Sequence, residues 1–181
     1  GEGYSFESRI VGGAIPKEYI PSVKKGFQRS MAKGPVAGFP ILGVKATLKD
    51  GSFHDVDSSD MAFQICARDC FRETFLRTKP VLLEPIMKME IETPVDFQGA
   101  VTGDLISRRG IVMSTEQQGE VSVIVAEVPL AETFGYSTDL RSQTKGQGTF
   151  TMELARYRRV PAALQTQIIE DRKKEELIGA R

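Results

Sequence analysis

The stretch Pro80-Val81-Leu82-Leu83-Glu84-Pro85 separates two parts of the 181-residue chain, each with its own pattern of strands and helices. The two prolines of this stretch disfavour a continuing helix, because proline lacks a backbone N–H and restricts the residue before it. We therefore predict a domain boundary here, with one domain over residues 1–80 and a second over residues 81–181. The second domain is expected to include a C-terminal helix that begins near Pro161.

Downstream of the boundary, the pattern predicts the element order β-α-β-β-α-β. The two central strands are separated by Gln117-Gln118-Gly119, a segment suited to a hairpin turn. This order is typical of a ferredoxin-like sandwich, a split β-α-β fold. The predicted strands cover residues 86–92, 111–116, 121–128 and 149–157, and the predicted helices cover residues 95–109 and 131–144.

Upstream of the boundary, the pattern predicts a second two-layer α/β sandwich. Residues 4–10 and 41–48 alternate as strands do, and residues 20–31 carry apolar side chains at helical spacing. Asp50-Gly51 is a strong turn signal, and Ser58-Ser59-Asp60 supplies capping residues for a helix over residues 61–77. The fold class is therefore α+β, with two two-layer sandwich domains.

Two cysteines, Cys66 and Cys70, lie four residues apart in the second of these helices. At that spacing they share a helix face, where they are better placed to pack as small apolar groups than to join distant loops. Cysteines that remain reduced are typical of cytosolic proteins, so we expect a cytoplasmic protein.

The composition is that of a soluble globular protein, with 40% hydrophobic and 27% charged residues. No apolar run approaches the roughly 20 residues that a membrane-spanning helix needs, so we expect no membrane contact. The 24 basic and 24 acidic residues give a net charge of zero. Any RNA contact would therefore depend on local clusters of Arg and Lys rather than on the overall charge.

The chain has one histidine, His54, which follows the Asp50-Gly51 turn and precedes Asp55. A catalytic histidine would need a carboxylate and an activated nucleophile, and no serine or cysteine stands in such a context. Two other interpretations stay open, an exposed histidine without a role and a binding role on a protruding loop. The cysteines and aspartates lack the spacing of a zinc or calcium site, so we expect no metal.

The basic residues are more suggestive than any catalytic pattern. Arg108-Arg109-Gly110 ends a predicted helix, where cations complement the helix dipole and glycine supplies a C-cap. Arg141 and Lys145, with the hydroxyls of Ser142 and Thr144, form a polar turn suited to phosphate oxygens. The sequence has no G-x-x-x-x-G-K-[ST] motif, so we do not expect it to bind a nucleotide in the manner of P-loop proteins.

Six segments along the chain form an ordered set. They are residues 10–21 (IVGGAIPKEYIP), 50–59 (DGSFHDVDSS), 80–87 (PVLLEPIM), 103–105 (GDL), 108–110 (RRG) and 134–142 (FGYSTDLRS). Taken together, they resemble one family of translational GTPases, elongation factor G. The match keeps the same order along nearly the whole chain, up to about Val160.

The resemblance implies a C-terminal fragment with most of the family's fourth domain and all of its fifth. The fourth domain of this family is of βαββα type with a left-handed crossover, and the fifth is ferredoxin-like. In the family, the fourth domain reaches the decoding site of the small ribosomal subunit and displaces tRNA paired with mRNA during translocation. The implied function is GTP-dependent translocation, with a ribosome-recycling or ribosome-protection paralogue as the alternative.

The resemblance also implies two sets of ribosome-binding residues and no catalytic residue in this fragment. The first set belongs to the tip of the fourth domain, and the second to the fifth domain, where it would contact rRNA phosphates or other domains. The first set is Gly12, Gly13, Phe53, His54 and Asp55, and the second is Arg108, Arg109, Arg141 and Lys145.

The partners implied by the resemblance are the ribosome and the rest of the same protein. On the ribosome they are rRNA, the A-site tRNA with its mRNA, and the stalk base. The GTPase domain, the middle domains and the first strands of the fourth domain have no counterpart in this sequence, so we expect a sheet with an open edge. No cofactor is expected in this fragment, whereas GTP and Mg²⁺ are implied for the full-length protein.

Overall fold

The computed structural model describes residues 3–179, which form two compact units. The first unit consists of Gly1–Val81 together with Ala162–Arg181, and the second of Leu82–Pro161. The division after Val81 lies inside the stretch with two prolines. At the other end the structure differs from the predicted domains, because the C-terminal helix groups with the first unit. Arg172 of that helix lies over the ring of Phe39, 4.9 Å from its centroid.

The first unit is built on two parallel strands. The elements β1 (Tyr4–Ser8), α1 (Ile20–Ala32), β2 (Val44–Leu48) and α2 (Asp60–Arg77) follow in order, and α5 covers Ala162–Gly179. The strands pair from Tyr4 opposite Val44 to Ser8 opposite Leu48, and α1 makes the crossover that parallel pairing requires. Within residues 3–179 this unit has no strand after the Asp50-Gly51 turn, so its order is β-α-β-α and then α5, rather than βαββα.

Helices α1 and α2 begin with residues suited to a helix start. Pro21 stands in the first turn of α1, where its missing N–H removes no helical hydrogen bond. Ser59 caps α2, and its Oγ accepts a hydrogen bond of 3.1 Å from the backbone N–H of Ala62. The predicted capping of this helix is therefore confirmed.

Helices α1 and α2 are in close contact at Gly26. A Cβ at residue 26 would lie 2.6 Å from the carbonyl oxygen of Gln64 and 2.8 Å from Cβ of Ala67. The crossing therefore needs a residue without a side chain. Phe27 and Phe71 extend the contact, with ring centroids 5.9 Å apart.

The expectation that Cys66 and Cys70 pack in the core is wrong, because both are exposed. The buried face of α2 carries Gln64, Ala67 and Phe71 instead. At 3.6 residues per turn, Cys66 lies roughly 200° around the helix from Gln64, which directs it away from α1.

The second unit is a ferredoxin-like sandwich, as predicted. Its elements are β3 (Leu83–Pro94), α3 (Gln98–Ser107), β4 (Ile111–Gln118), β5 (Val121–Pro129), α4 (Tyr136–Gln143) and β6 (Thr149–Arg159). The strands lie in the order β4-β5-β3-β6, and each neighbouring pair is antiparallel. The hairpin between β4 and β5 turns at Gly119, as the sequence predicts.

One face of this sheet packs on α3 and α4 to form the core. Strand residues such as Ile91 and Ile124 meet Leu105 of α3 and Leu140 of α4, and all four are at most 1% exposed. Along β5 burial alternates with the two-residue period of a strand, and Ser122 to Val128 are buried at every second position. The layers therefore place the ends of α3 and α4 on one side of the sheet.

Candidate functional site

The C-terminal ends of β1 and β2 lie side by side, because the strands are parallel. The N–H of Arg9 donates to the carbonyl oxygen of Leu48 over 2.7 Å, which extends the pairing beyond the strands themselves. The segments that follow, residues 9–16 and 49–59, leave the sheet at this same edge. We call them the edge loops, and they carry Gly12, Gly13 and residues 53–55.

The first edge loop turns at Gly12 and Gly13, which are both exposed. Their φ angles are +67° and +71°, in the left-handed region that side chains disfavour. No heavy atom of the described residues lies within 4 Å of a Cβ built at either position. Glycine is therefore required here by the backbone conformation and not by crowding. The result is a turn of bare backbone at the surface.

The second edge loop presents Phe53, His54 and Asp55, all exposed. Two hydrogen bonds between residues 54 and 58 close the loop: the N–H of His54 donates to the side-chain Oγ of Ser58 over 2.9 Å, and the N–H of Ser58 donates to the carbonyl oxygen of His54 over 3.1 Å. Phe53 is 40% exposed, so its ring remains partly accessible. These contacts shape the loop around His54 while leaving its position at the surface.

The two edge loops meet at Ile15 and Gly51. Ile15 is 3% exposed, and a Cβ at residue 51 would lie 2.4 Å from its Cδ1 atom. From the sequence, Gly51 is predicted only as a turn residue, and Ile15 is not among the predicted site residues. An isoleucine in a glycine-rich loop, next to a helix-starting proline, is the signal that could have found this contact.

Arg108 is held inside the second unit. Its side chain is 13% exposed, and Nε donates to Oδ2 of Asp104 over 2.9 Å. Nη1 donates to the carbonyl oxygen of Glu132 over 2.8 Å, and Nη2 donates to Asp139. The guanidinium carbon also lies 5.1 Å from the centroid of the Tyr136 ring. Arg108 therefore joins the end of α3 to the start of α4.

Tyr136 is the buried aromatic residue over which the guanidinium group of Arg108 lies. Burial raises the pKa of its hydroxyl, and the carboxylate of Asp104 raises it further, so the phenol stays neutral. The ring packs edge-on against Phe150, with centroids 5.0 Å apart. The Phe134–Ser142 segment that resembles the family is thus a packing element as well as a surface one.

Arg109 forms a bidentate ion pair with Glu84. Nη1 and Nη2 donate to the two carboxylate oxygens over 3.0 Å and 2.9 Å, and Nε donates to Glu132 over 3.1 Å. Glu84 is 8% exposed, and the pKa of Arg109 is raised mainly by its hydrogen bond with Glu84. Arg158 lies 3.7 Å from the same carboxylate.

The end of α3 differs from the predicted glycine cap. Arg109, rather than Gly110, is the left-handed residue, with φ of +59°. Gly110 is needed for another reason, since a Cβ there would lie 2.4 Å from the carbonyl oxygen of Leu105. The N–H of Gly110 donates to that same oxygen over 2.9 Å.

Arg141 and Lys145 are both exposed at the C-terminal end of α4. Lys145 has a φ of +53°, which turns the chain toward β6. The hydroxyl of Thr144 does not join them, contrary to prediction, because Thr144 is fully buried. Its Oγ1 donates to the carbonyl oxygen of Leu140 over 2.7 Å and accepts from the N–H of Gly148 over 2.8 Å.

The predicted site residues thus form three groups. The edge loops bring Gly12, Gly13 and residues 53–55 to one edge of the first unit. In the second unit, Arg108 and Arg109 are engaged by carboxylates, whereas Arg141 and Lys145 reach solvent. Across residues 3–179, no group of three or more His, Cys, Asp or Glu side chains is placed to hold a metal ion. In the same range no helix has both the length and the apolar character needed to cross a membrane.

Comparison with known proteins gives a consistent result over both units. Residues 1–79 match the family model "Elongation factor G, domain IV", and residues 81–168 match "Elongation factor G C-terminus". The chain is 58% identical over 180 residues to "Elongation factor G" of Rhodopirellula baltica, covering 99% of this chain and 26% of that protein. It is 54% identical over 170 residues to "Elongation factor G 1" of Syntrophus aciditrophicus, covering 94% of this chain and 24% of that protein.

A solved structure agrees with these matches. A crystal structure of a protein from Thermus thermophilus aligns with a TM-score of 0.85 and 43% identity, covering 95% of this chain and 26% of that one. The chain therefore spans about a quarter of the length of its relatives. With both family models matched in order over most of its residues, the chain belongs to the elongation factor G family and has regions that match its domain IV and its C-terminus.

Proposed function

We propose that this chain is the ribosome-facing part of a cytoplasmic translation factor that drives GTP-dependent translocation of tRNA and mRNA. GTP and Mg²⁺ bind in the remainder of the protein, and no bond is made or broken by the residues of this chain. The lack of a P-loop motif among its 181 residues supports this division.

The proposal rests on the pair of edge loops, which are in contact at Ile15 and Gly51. They expose bare backbone at Gly12 and Gly13 on one loop and the ring and imidazole of residues 53–54 on the other. Backbone without side chains can approach RNA closely. Aromatic rings stack on unpaired bases, and an imidazole can form a hydrogen bond with a ribose hydroxyl. We assign the contact with tRNA and mRNA to this edge.

The second unit supplies a separate contact with rRNA. Arg141 and Lys145 have exposed cationic groups at the end of α4, where they can meet phosphate oxygens. Arg108 and Arg109 use their N–H groups on carboxylates of the same unit. We therefore assign positioning to these two residues and phosphate binding to Arg141 and Lys145.

The test places His54→Ala in the complete factor and follows single-turnover translocation alongside GTP hydrolysis. Loss of one stacking or hydrogen-bonding contact is expected to slow translocation about tenfold, since such contacts contribute roughly 1–3 kcal/mol. GTP hydrolysis should be unchanged. Val56→Ala is the matched control, because Val56 is 92% exposed on the same loop. Equal translocation rates in the wild type and the His54→Ala protein would remove His54 from the function.

A further inference from the structure

A concave groove lies on the helical side of the first unit. It has a volume of about 640 Å³ and is lined by residues of α1, α2, α5 and the segment 33–38. Gly26, Gln64 and Phe71 are among the buried members of its lining. None of the residues predicted from the sequence as ribosome-binding lines this groove.

The lining of the groove is strongly cationic, although the chain as a whole has no net charge. Among the described lining residues, Glu176 is the one acid. The cationic members are Arg29, Lys33, Arg68, Arg72, Arg172 and Lys173. They come from separated segments of sequence, so no local cluster reveals them.

Carboxylates of the described residues pair with a minority of these cations. Arg68 pairs with Asp69, and Arg172 lies 3.7 Å from Glu175. Within residues 3–179, no salt bridge within 4.0 Å is formed by the other four, which are Arg29, Lys33, Arg72 and Lys173. Four of the six groove cations therefore have no salt bridge within residues 3–179, and one of these four, Arg29, interacts electrostatically with Asp60.

Two of the guanidinium groups are held in place by neutral partners. Nη1 of Arg29 donates to Oε1 of Gln64 over 2.9 Å, and Gln64 is in turn fixed by donating to Asp60 over 2.6 Å. Gln64 is only 6% exposed, so this support is built into the core. Arg172 is placed over the ring of Phe39. These neutral contacts orient the two guanidinium groups, although Arg172 also lies near Glu175 and Arg29 interacts electrostatically with Asp60.

The size and spread of the charge indicate an extended polyanion rather than a single small anion. Cations on three helices and one loop can meet several phosphates in succession, and Arg forms bidentate hydrogen bonds with phosphate. Met61 and Ile65 add exposed apolar surface beside the charges, at 59% and 42% exposure, which suits ribose and base faces.

We infer that this groove binds the phosphate backbone of RNA, as a third ribosome contact separate from the edge loops and from Arg141 and Lys145. The inference rests on the proposed function, in that it adds a second RNA-binding surface to the unit that carries the edge loops. Binding here is set by charge and shape, and carries no base sequence preference.

The test measures binding of the 181-residue chain to salt-washed bacterial ribosomes over a series of salt concentrations. The groove variant is R72E/K173E, with R72Q/K173Q as a milder version should charge reversal impair folding. The matched control is R77E/K174E, which makes the same change in charge on the same two helices at residues that do not line the groove. Circular dichroism checks that each variant is folded.

The groove variant is expected to weaken binding at least tenfold and to reduce the slope of log affinity against log salt by about one to two, since two phosphate contacts are lost. The control should change affinity by less than about threefold. Equal weakening by groove and control variants would overturn the inference, because general electrostatics would then explain both. The inference would also be overturned if the groove variants bound ribosomes as well as the wild type while R141Q/K145Q bound them more weakly. That outcome would leave the proposed function intact. If the wild-type chain did not bind ribosomes at low salt, both the inference about the groove and the proposed function would be overturned.

Discussion

The backbone of Gly51 lies against the side chain of Ile15 so closely that a Cβ at residue 51 would be 2.4 Å from Ile15 Cδ1. Strand pairing ends at Arg9 and Leu48, before either edge loop has turned. The Ile15–Gly51 contact is therefore what fixes one loop against the other. Because Ile15 is almost fully buried, this contact anchors two segments that are otherwise exposed.

Gly51→Ala is expected to destabilise the first unit by about 1–3 kcal/mol, because the added methyl group cannot fit unless Ile15 moves. Urea unfolding followed by circular dichroism measures the change. Ile15→Val removes the Cδ1 atom, so the double variant should be more stable than the sum of the two single effects predicts. Gly103→Ala is the control, since a Cβ at residue 103 meets no atom of the described residues within 4 Å. Additive effects of the two substitutions would contradict the contact.

The Arg109–Glu84 pair should respond unequally to removal of its two partners. Arg109→Met leaves the nearly buried carboxylate of Glu84 with Arg158 as its remaining cation among residues 3–179, and should cost about 2–4 kcal/mol of unfolding free energy. Glu84→Gln removes the buried charge itself and leaves cations that can reach water, so it should cost about 1–2 kcal/mol. Thermal or urea unfolding at neutral pH compares the two. If Glu84→Gln lowered the unfolding free energy more than Arg109→Met, the unpaired carboxylate of Glu84 could not be the main cause of the destabilisation by Arg109→Met.

Asp60 should make the first unit less stable in acid. The hydrogen bond from Ser22 Oγ, at 2.6 Å, is the main cause that lowers the pKa of Asp60 below its ordinary value of 3.8. A lowered folded-state pKa contributes stability above the unfolded pKa, and that contribution is lost as pH falls through the folded pKa. Ser22→Ala should therefore be less stable than the wild type at neutral pH, and the difference should shrink as the pH falls below the ordinary Asp pKa of 3.8.

A control separates this titration from a simple loss of a hydroxyl. Ser30→Ala removes a hydroxyl that donates to the carbonyl oxygen of Gly26 over 2.9 Å, with no carboxylate involved. Its effect on unfolding free energy should be independent of pH over the same range. Parallel pH profiles for the Ser22 and Ser30 variants would contradict the role of Asp60.

Arg141→Gln with Lys145→Gln should weaken ribosome binding without loss of stability. Both side chains are exposed, so their removal leaves no buried partner. The slope of log affinity against log salt concentration should fall by about one to two, as expected for the loss of one to two phosphate contacts. Arg156→Gln is a control in the same unit, since Arg156 pairs with Glu127 at 2.6 Å. Lys145→Gly additionally relieves the left-handed backbone, and should raise the unfolding free energy by up to about 1 kcal/mol. Unchanged ribosome affinity would remove this turn from the proposed interface.

The order of elements could be predicted from the sequence because local signals agree with the fold. Alternating residues mark the strands of the second unit, and Ser59 caps α2 where the hydroxyl and acidic residues predict a helix start. The exposed position of the His54 loop also follows from its turn signals. Such features depend on neighbours in sequence, which is the information that a single sequence contains.

Other features depend on partners far apart in sequence. The spacing of Cys66 and Cys70 predicts a shared helix face but not which face is buried, and Gly26 decides that by admitting Gln64 and Ala67. The ion pair of Arg109 could not be predicted, because its partner Glu84 lies 25 residues earlier in the sequence. The α5 helix follows the second unit in sequence, so its place with the first unit could not be predicted from chain order.

The parallel course of β1 and β2 has a mechanical consequence. A pull or push delivered to both edge loops along the strand axis acts on the two strands in the same direction. The hydrogen bonds between them then experience little shear, whereas opposite forces on the two strands would load those bonds in shear. Force received at the edge loops therefore passes through both strands together toward their N-terminal ends, where residues 33–43 join β2 to α1.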